Sequence, residues 1–136
     1  WLIEIGNNVT LSPRVHLLAH DASTKMHMNY TRVGRVKIGD RVFIGAGSII
    51  LPGVTIGSNV IIGAGSVVSH DIQNDLVVAG NPAKIICTIK EFLQRKTREI
   101  EDSPCFNENY TVEKKISSDM KNKMKTEMKK NVGYVV

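Results

Sequence analysis

The chain of 136 residues carries a formal charge of +5, with 42% hydrophobic and 23% charged residues, a balance that suits one folded domain with an appendage and excludes a disordered polymer. No apolar run reaches the eighteen or more residues of a membrane span, and the basic surplus comes without interleaved aromatics or a nucleic-acid motif, which argues against both partners. Cys87 and Cys105 stand outside any CxxC or paired-histidine spacing, so they read as free thiols in a reducing cytoplasm and not as metal ligands.

The sequence opens at Trp1, already inside repeat-like sequence, so further coils are expected upstream. No basic segment followed by an apolar one stands there, as a secretory leader would require. Ile5-Gly6-Asn7-Asn8-Val9-Thr10 and Leu11-Ser12-Pro13-Arg14-Val15-His16 form two six-residue units, and Leu17 starts a third. The frame then slips, because Leu17 and Ile38 are separated by three units plus three residues. Polar, irregular sequence from Ala22 to Tyr30 accounts for the slip as a loop expelled from a corner, an excursion over about 22–35 with His20 and Asp21 at its root.

From 38 to 72 a branched apolar residue returns at every sixth position: Ile38, Ile44, Ile50, Ile56, Ile62 and Val68. Gly39, Gly45, Gly57 and Gly63 follow four of them, and the residue four places on is again small or β-branched: Val42, Ser48, Val54, Val60, Ser66 and Ile72. A helix repeats at 3.6 and a strand at 2, so a period of six belongs to a larger unit. A parallel β-helix has this period when each unit makes one short strand and one corner; the branched side chain fills the interior and a small residue turns the corner. Unrelated hairpins would not hold one register over six units. The expected fold is therefore an all-β solenoid over 1–87 with a helical extension over 88–136.

Ser69-His70-Asp71 interrupts the pattern, and an apolar strand from Leu76 to Ala79 leads into Gly80-Asn81-Pro82-Ala83-Lys84, a turn that holds Lys84 at a defined place. A helix is expected over 88–100, with Ile89, Phe92, Leu93 and Lys96 on one face and Ser103-Pro104 ending it. A second is expected over 118–130, capped by Ser118 and carrying Met120, Met124 and Met128 as a packing stripe. Gly133-Tyr134-Val135-Val136 suits a short strand.

Of the four histidines, His16 suits a structural or solvent-facing place and His27 a mobile surface one. His20 closes the last regular unit before the excursion, where a side chain at a coil edge projects into a groove, and imidazole is well matched to proton transfer near neutral pH.

Taken together, Leu17-Leu18-Ala19-His20-Asp21 before an excursion, Ile44-Gly45-Ala46-Gly47-Ser48, Pro52-Gly53-Val54-Thr55-Ile56-Gly57, Ile62-Gly63-Ala64-Gly65-Ser66 and Gly80-Asn81-Pro82-Ala83-Lys84 resemble the hexapeptide-repeat acyltransferases, most closely the galactoside, maltose and nodulation O-acetyltransferases, over about residues 2–90. The resemblance implies a left-handed β-helix, a homotrimer with sites between subunits, and acetyl-CoA as donor, with no metal required. It places the catalytic histidine on His20 and coenzyme contacts on Ala46, Ala64, Ser69, His70 and Lys84. His70 stands where relatives often have lysine, Cys87 where some have arginine, and Phe43 replaces a common tryptophan. An asparagine expected to touch the acceptor would precede Trp1.

The implied chemistry is direct acetyl transfer to a hydroxyl of a sugar or polysaccharide precursor, with His20 as general base and the Ala46 N–H facing the oxyanion. Two other readings compete: N-acylation of an amino-sugar nucleotide or an antibiotic, and a zinc-binding or purely structural β-helix.

Overall fold

The six-residue period becomes an interior. In the computed structural model, which describes residues 1–128 and 132–136, Val36, Ile38, Val42, Ile44, Ile50, Val54, Ile56, Val60, Ile62 and Val68 are each at most 4% exposed. Burying each such side chain contributes about 1.5–3 kcal/mol, so this column is the dominant source of stability. The chain divides into two compact units, Trp1–Phe92 and Leu93–Val136.

In the first unit the chain visits three sheets in rotation. Strands β1 (Ile3–Ile5), β2 (Thr10–Leu11) and β3 (His16–Leu17) open one on each. The ribbon strands β4 (His20–Asp21) and β5 (Arg32–Val33) flank a one-turn helix, α1 (Lys25–Met28). The rotation resumes with β6 (Val36–Ile38), β7 (Val42–Ile44), β8 (Ile49–Ile50), β9 (Thr55–Ile56), β10 (Val60–Ile62), β11 (Val67–Val68) and β12 (Leu76–Ala79). The first face is β1-β6-β9, the second β2-β7-β10-β12 and the third β3-β8-β11, all with parallel pairing.

Stacked partners are eighteen positions apart in the regular part, as in Val42 with Val60, Ile38 with Ile56 and Ile50 with Val68. Across the excursion the same register holds at thirty-three, with Ile5 on Ile38, Leu11 on Ile44 and Leu17 on Ile50. The excursion thus adds fifteen residues without disturbing which side chains face inward. Ile5 and Leu11 occupy inward register positions yet are 47% and 43% exposed, because among the described residues no coil stacks over them.

The corners explain the small residues. A Cβ on Gly45 would lie 2.4 Å from the Ala64 nitrogen, so only glycine lets these two coils approach. Gly47, two residues later, takes φ +70 with nothing among the described residues within 4 Å of a Cβ, so its requirement is conformational alone. Ser48 and Ser66, both fully buried, keep the corner closed from inside. The Ser48 hydroxyl donates to the Gly63 carbonyl at 3.0 Å, and the Ser66 hydroxyl donates to the same carbonyl at 2.6 Å while accepting from the Gly80 N–H at 3.1 Å.

After the Gly80-Asn81-Pro82 turn, β13 (Lys84–Thr88) returns antiparallel on β12, with Lys84 opposite Ala79. Helix α2 (Ile89–Glu101) follows, its start fixed by a reciprocal box in which Thr88 N–H and hydroxyl donate to the Glu91 carboxylate and Glu91 N–H donates back at 3.2 Å. Those donors hold the Glu91 carboxyl below its ordinary range.

In the second unit β14 (Cys105–Phe106) precedes α3 (Ser118–Glu127) and pairs parallel with β15 (Tyr134–Val135), the strand expected from the terminal sequence. The cap of α3 is Ser117 and not Ser118: it is Ser117 that keeps extended backbone while its hydroxyl accepts from the Met120 N–H. Positions 129 and 130 of the expected helix lie outside the described residues. Met120, Met124 and Met128 are half-buried, as a packing stripe requires.

Gly45→Ala should lower the thermal midpoint far more than Gly47→Ala, since the first forces two backbones apart whereas the second costs only about 1–2 kcal/mol of left-handed strain. Equal losses in paired melting curves would contradict the close-approach argument.

Candidate functional site

The three corners of the coil stack differ in chemistry. At the first corner, between first and second faces, side chains supply acceptors to the backbone of the adjacent coil. Asp40 accepts from the Asn7 N–H at 2.7 Å, the Ser58 hydroxyl from the Asp40 N–H at 3.0 Å, and Asn74 from the Ser58 N–H at 2.8 Å. The Asn7 donors hold the Asp40 carboxyl below its usual value.

At the second corner, between second and third faces, the equivalent positions are Pro13, Ala46 and Ala64, which carry no acceptor. Their coils are tied instead by Gly47 N–H to Pro13 carbonyl at 3.0 Å and Gly65 N–H to Ala46 carbonyl at 2.8 Å. Among the described residues, the N–H groups of Ala46 and Ala64 donate to nothing. Both alanines are exposed, so this corner presents a narrow, small-residue edge with unclaimed backbone donors. Lys84 joins the same corner at its top, exposed and paired in register with Ala79.

The third corner, between third and first faces, carries the rest. Leu18 N–H bonds the Ile50 carbonyl and Leu51 N–H the Val68 carbonyl, which stacks the segments leading to His20, to Pro52-Gly53 and to Ser69-His70. His20 lies in β4, paired across the ribbon with Val33, and its exposed imidazole makes no hydrogen bond among the described residues. The two ribbon strands stand at the root of the excursion and flank the stretch from 22 to 30, which the composition suggested as irregular loop and which holds the one-turn helix α1. Asp21 accepts from the Ser23 N–H at 2.8 Å, which with the nearby Arg32 charge holds its carboxyl below the ordinary range. The Ser69 hydroxyl lies 2.9 Å from His70 Nδ1.

The six residues singled out from sequence therefore fall into two groups. Ala46, Ala64 and Lys84 share the second corner, whereas His20, Ser69 and His70 share the third. One face of about six residues separates them, roughly 20 Å at 3.3 Å per residue. Arg32, on the third corner, escaped the sequence reading because it sits in the excursion, where no period marks a position.

The bacterial transferase hexapeptide (six repeats) family matches residues 35–70. Protein CapG of Staphylococcus aureus is 49% identical over 96 residues, which is 68% of this chain and 56% of CapG. A maltose O-acetyltransferase from Clostridium difficile 630 superposes with a TM-score of 0.59 at 47% identity, over 63% of this chain and 48% of that one. A galactoside acetyltransferase in complex with coenzyme A gives 0.61 at 38%, over 68% and 48%. The N-acyltransferase AntD of Bacillus cereus, in complex with dTDP and coenzyme A, gives 0.58 at 26%, over 74% and 60%. The chain spans about half the length of the curated relatives it matches.

Proposed function

From a chain that belongs to the hexapeptide-repeat transferases, we propose an acetyl-CoA-dependent O-acetyltransferase acting on a sugar or polysaccharide-precursor hydroxyl. The observation that carries the reading is the pairing of an exposed, unbonded His20 on one corner with unclaimed N–H donors at Ala46 and Ala64 on another. Residues 1–87 hold this machinery and 88–136 form an accessory extension. The hand of the coil belongs to the same reading: a left-handed parallel β-helix, the sense opposite to ordinary crossovers. The setting is cytoplasmic, where both free thiols, Cys87 and Cys105, stay reduced.

The second corner fits a thin pantetheine arm, because alanine side chains leave room beside backbone donors that no group among the described residues uses. Lys84 would meet the coenzyme phosphates there, and Ser69 with His70 would line the opposite wall. Acetyl-CoA, when bound, supplies an activated acyl carbon with a thiolate leaving group. Neutral His20 takes the proton from the acceptor hydroxyl as its oxygen bonds the acyl carbon, an effect of about 100- to 10,000-fold. The Ala46 N–H donates to the carbonyl oxygen as negative charge develops, contributing about 3 kcal/mol. The His20 imidazolium then returns the proton to the departing sulfur, so no covalent enzyme intermediate forms.

One chain cannot bring both corners to one reacting carbon, so the third corner of one copy meets the second corner of the next. Such a contact joins two different patches and gives a finite assembly when its rotation closes into a ring, which we take to be the homotrimer. The outward rows support it: Thr10, Phe43 and Ile61 stack on the second face and His16, Ile49 and Val67 on the third, mostly apolar, while Glu4, Lys37 and Thr55 make the first face polar.

His20→Ala should abolish thiol release from acetyl-CoA in the presence of acceptor while the assembly stays folded; activity within about tenfold of wild type would remove His20 from the mechanism. Lys84→Ala should raise the coenzyme KM by about tenfold with little change in kcat. Co-assembling His20→Ala with Ala46→Trp subunits should restore about a quarter of wild-type activity through mixed interfaces. No recovery from mixed assemblies would mean that each chain holds a whole site. A panel of sugars, nucleotide sugars and amines, read by thiol release, separates O- from N-transfer, and turnover with amines alone would favour the N-acyltransferase reading.

A further inference from the structure

The side chain of His20 has nothing of its own to hold it. Its ring makes no hydrogen bond among the described residues, and its strand is two residues long, paired only with the two residues of β5. A two-stranded ribbon of that size is marginal in water by itself. Gly34 N–H to the Ala19 carbonyl at 3.0 Å only continues the ribbon's own pairing at its base; among the described residues, the side-chain bond that ties the ribbon to the next coil is the Arg32 guanidinium to the Pro52 carbonyl at 3.1 Å.

Arg32 occupies a particular place in this ribbon. It stands directly across from Asp21, the residue after His20, and Val33 beside it stands across from His20 itself. Its acceptor, Pro52, is buried in the next coil, where the position of a Gly34 Cβ would fall 2.5 Å from the Gly53 nitrogen. Gly53 takes φ +91, and among the described residues the group within 4 Å of a Cβ there is the Arg32 guanidinium at 3.5 Å. The absent side chain at 53 thus leaves the channel through which Arg32 reaches Pro52. A planar guanidinium with several fixed donors is suited to this, since one bond to the carbonyl sets the direction of the whole side chain.

We infer that Arg32 is a positioning residue for His20, clamping the ribbon to the third corner so that the imidazole is presented in one place. This rests on the reading of His20 as the general base. A displacement of about 1 Å in a reacting group costs on the order of 100-fold in rate, so the clamp acts on kcat and not on binding of the coenzyme.

The test uses the full chain with Arg32→Ala and Arg32→Lys, each measured for kcat, for both KM values and for the ring carbon-proton NMR resonance of His20, assigned by its loss in His20→Ala. In Arg32→Ala, kcat is expected to fall about 10- to 100-fold with the acetyl-CoA KM within about twofold, the pH profile to keep its midpoint, and the His20 resonance to move toward a free histidine. Arg32→Lys, which still offers a donor to the Pro52 carbonyl, is expected to recover part of both, and it carries the test alone if the alanine variant does not fold. An unchanged kcat with an unmoved His20 resonance overturns the inference. A raised acceptor KM at constant kcat also overturns it, by making Arg32 a substrate contact. If His20→Ala proves fully active, the base assignment fails separately, and the His20 resonance still reports whether Arg32 positions the ring.

Discussion

Everything in the first unit depends on the inward column of branched side chains. Because Ile38, Ile44, Ile50, Ile56, Ile62 and Val68 fill the interior six residues apart, each coil must close in three short strands and three tight corners. The corners in turn demand small residues where one backbone lies on the next, as at Gly45 against Ala64. Packing thus dictates corner chemistry before function has any say.

That dictate leaves a choice at each corner about how backbone donors are satisfied. The first corner uses Asp40, Ser58 and Asn74 as acceptors for the coil beside them and is chemically quiet. The second replaces those side chains with Pro13, Ala46 and Ala64, so two N–H groups stay available to a ligand. The same repeat therefore builds one corner with its backbone donors satisfied and one with two of them open by exchanging polar for small side chains. At the third corner the chain leaves the stack altogether, and the excursion carries a histidine whose place is set by ribbon pairing and by the Arg32 bond to Pro52.

Much of this was legible in the sequence. The period of six identified the branched inward positions one by one, whereas the burial of Ser48 and Ser66, made tolerable by the hydroxyl bonds to Gly63, came only with the structure. Helix α2 was readable from its apolar spacing, and the cap of α3 was misread by one residue because Ser117 and Ser118 are adjacent and only backbone geometry tells a cap from a first helical residue. The ribbon within the excursion was not legible, since two residues per strand carry no period, and Arg32 was invisible because its partner is a backbone carbonyl twenty positions away.

The sequence by itself determined which side chains face the interior and which residue types stand at each corner, because a strict period translates directly into direction around a coil. It also singled out a set of candidate residues for acid-base and phosphate chemistry. Only the tertiary structure decided how that set is divided. Ala46, Ala64 and Lys84 stack on one corner while His20, Ser69 and His70 stack on another, for stacking depends on the count of residues between coils, including the fifteen expelled in the excursion, and not on the identity of any one of them.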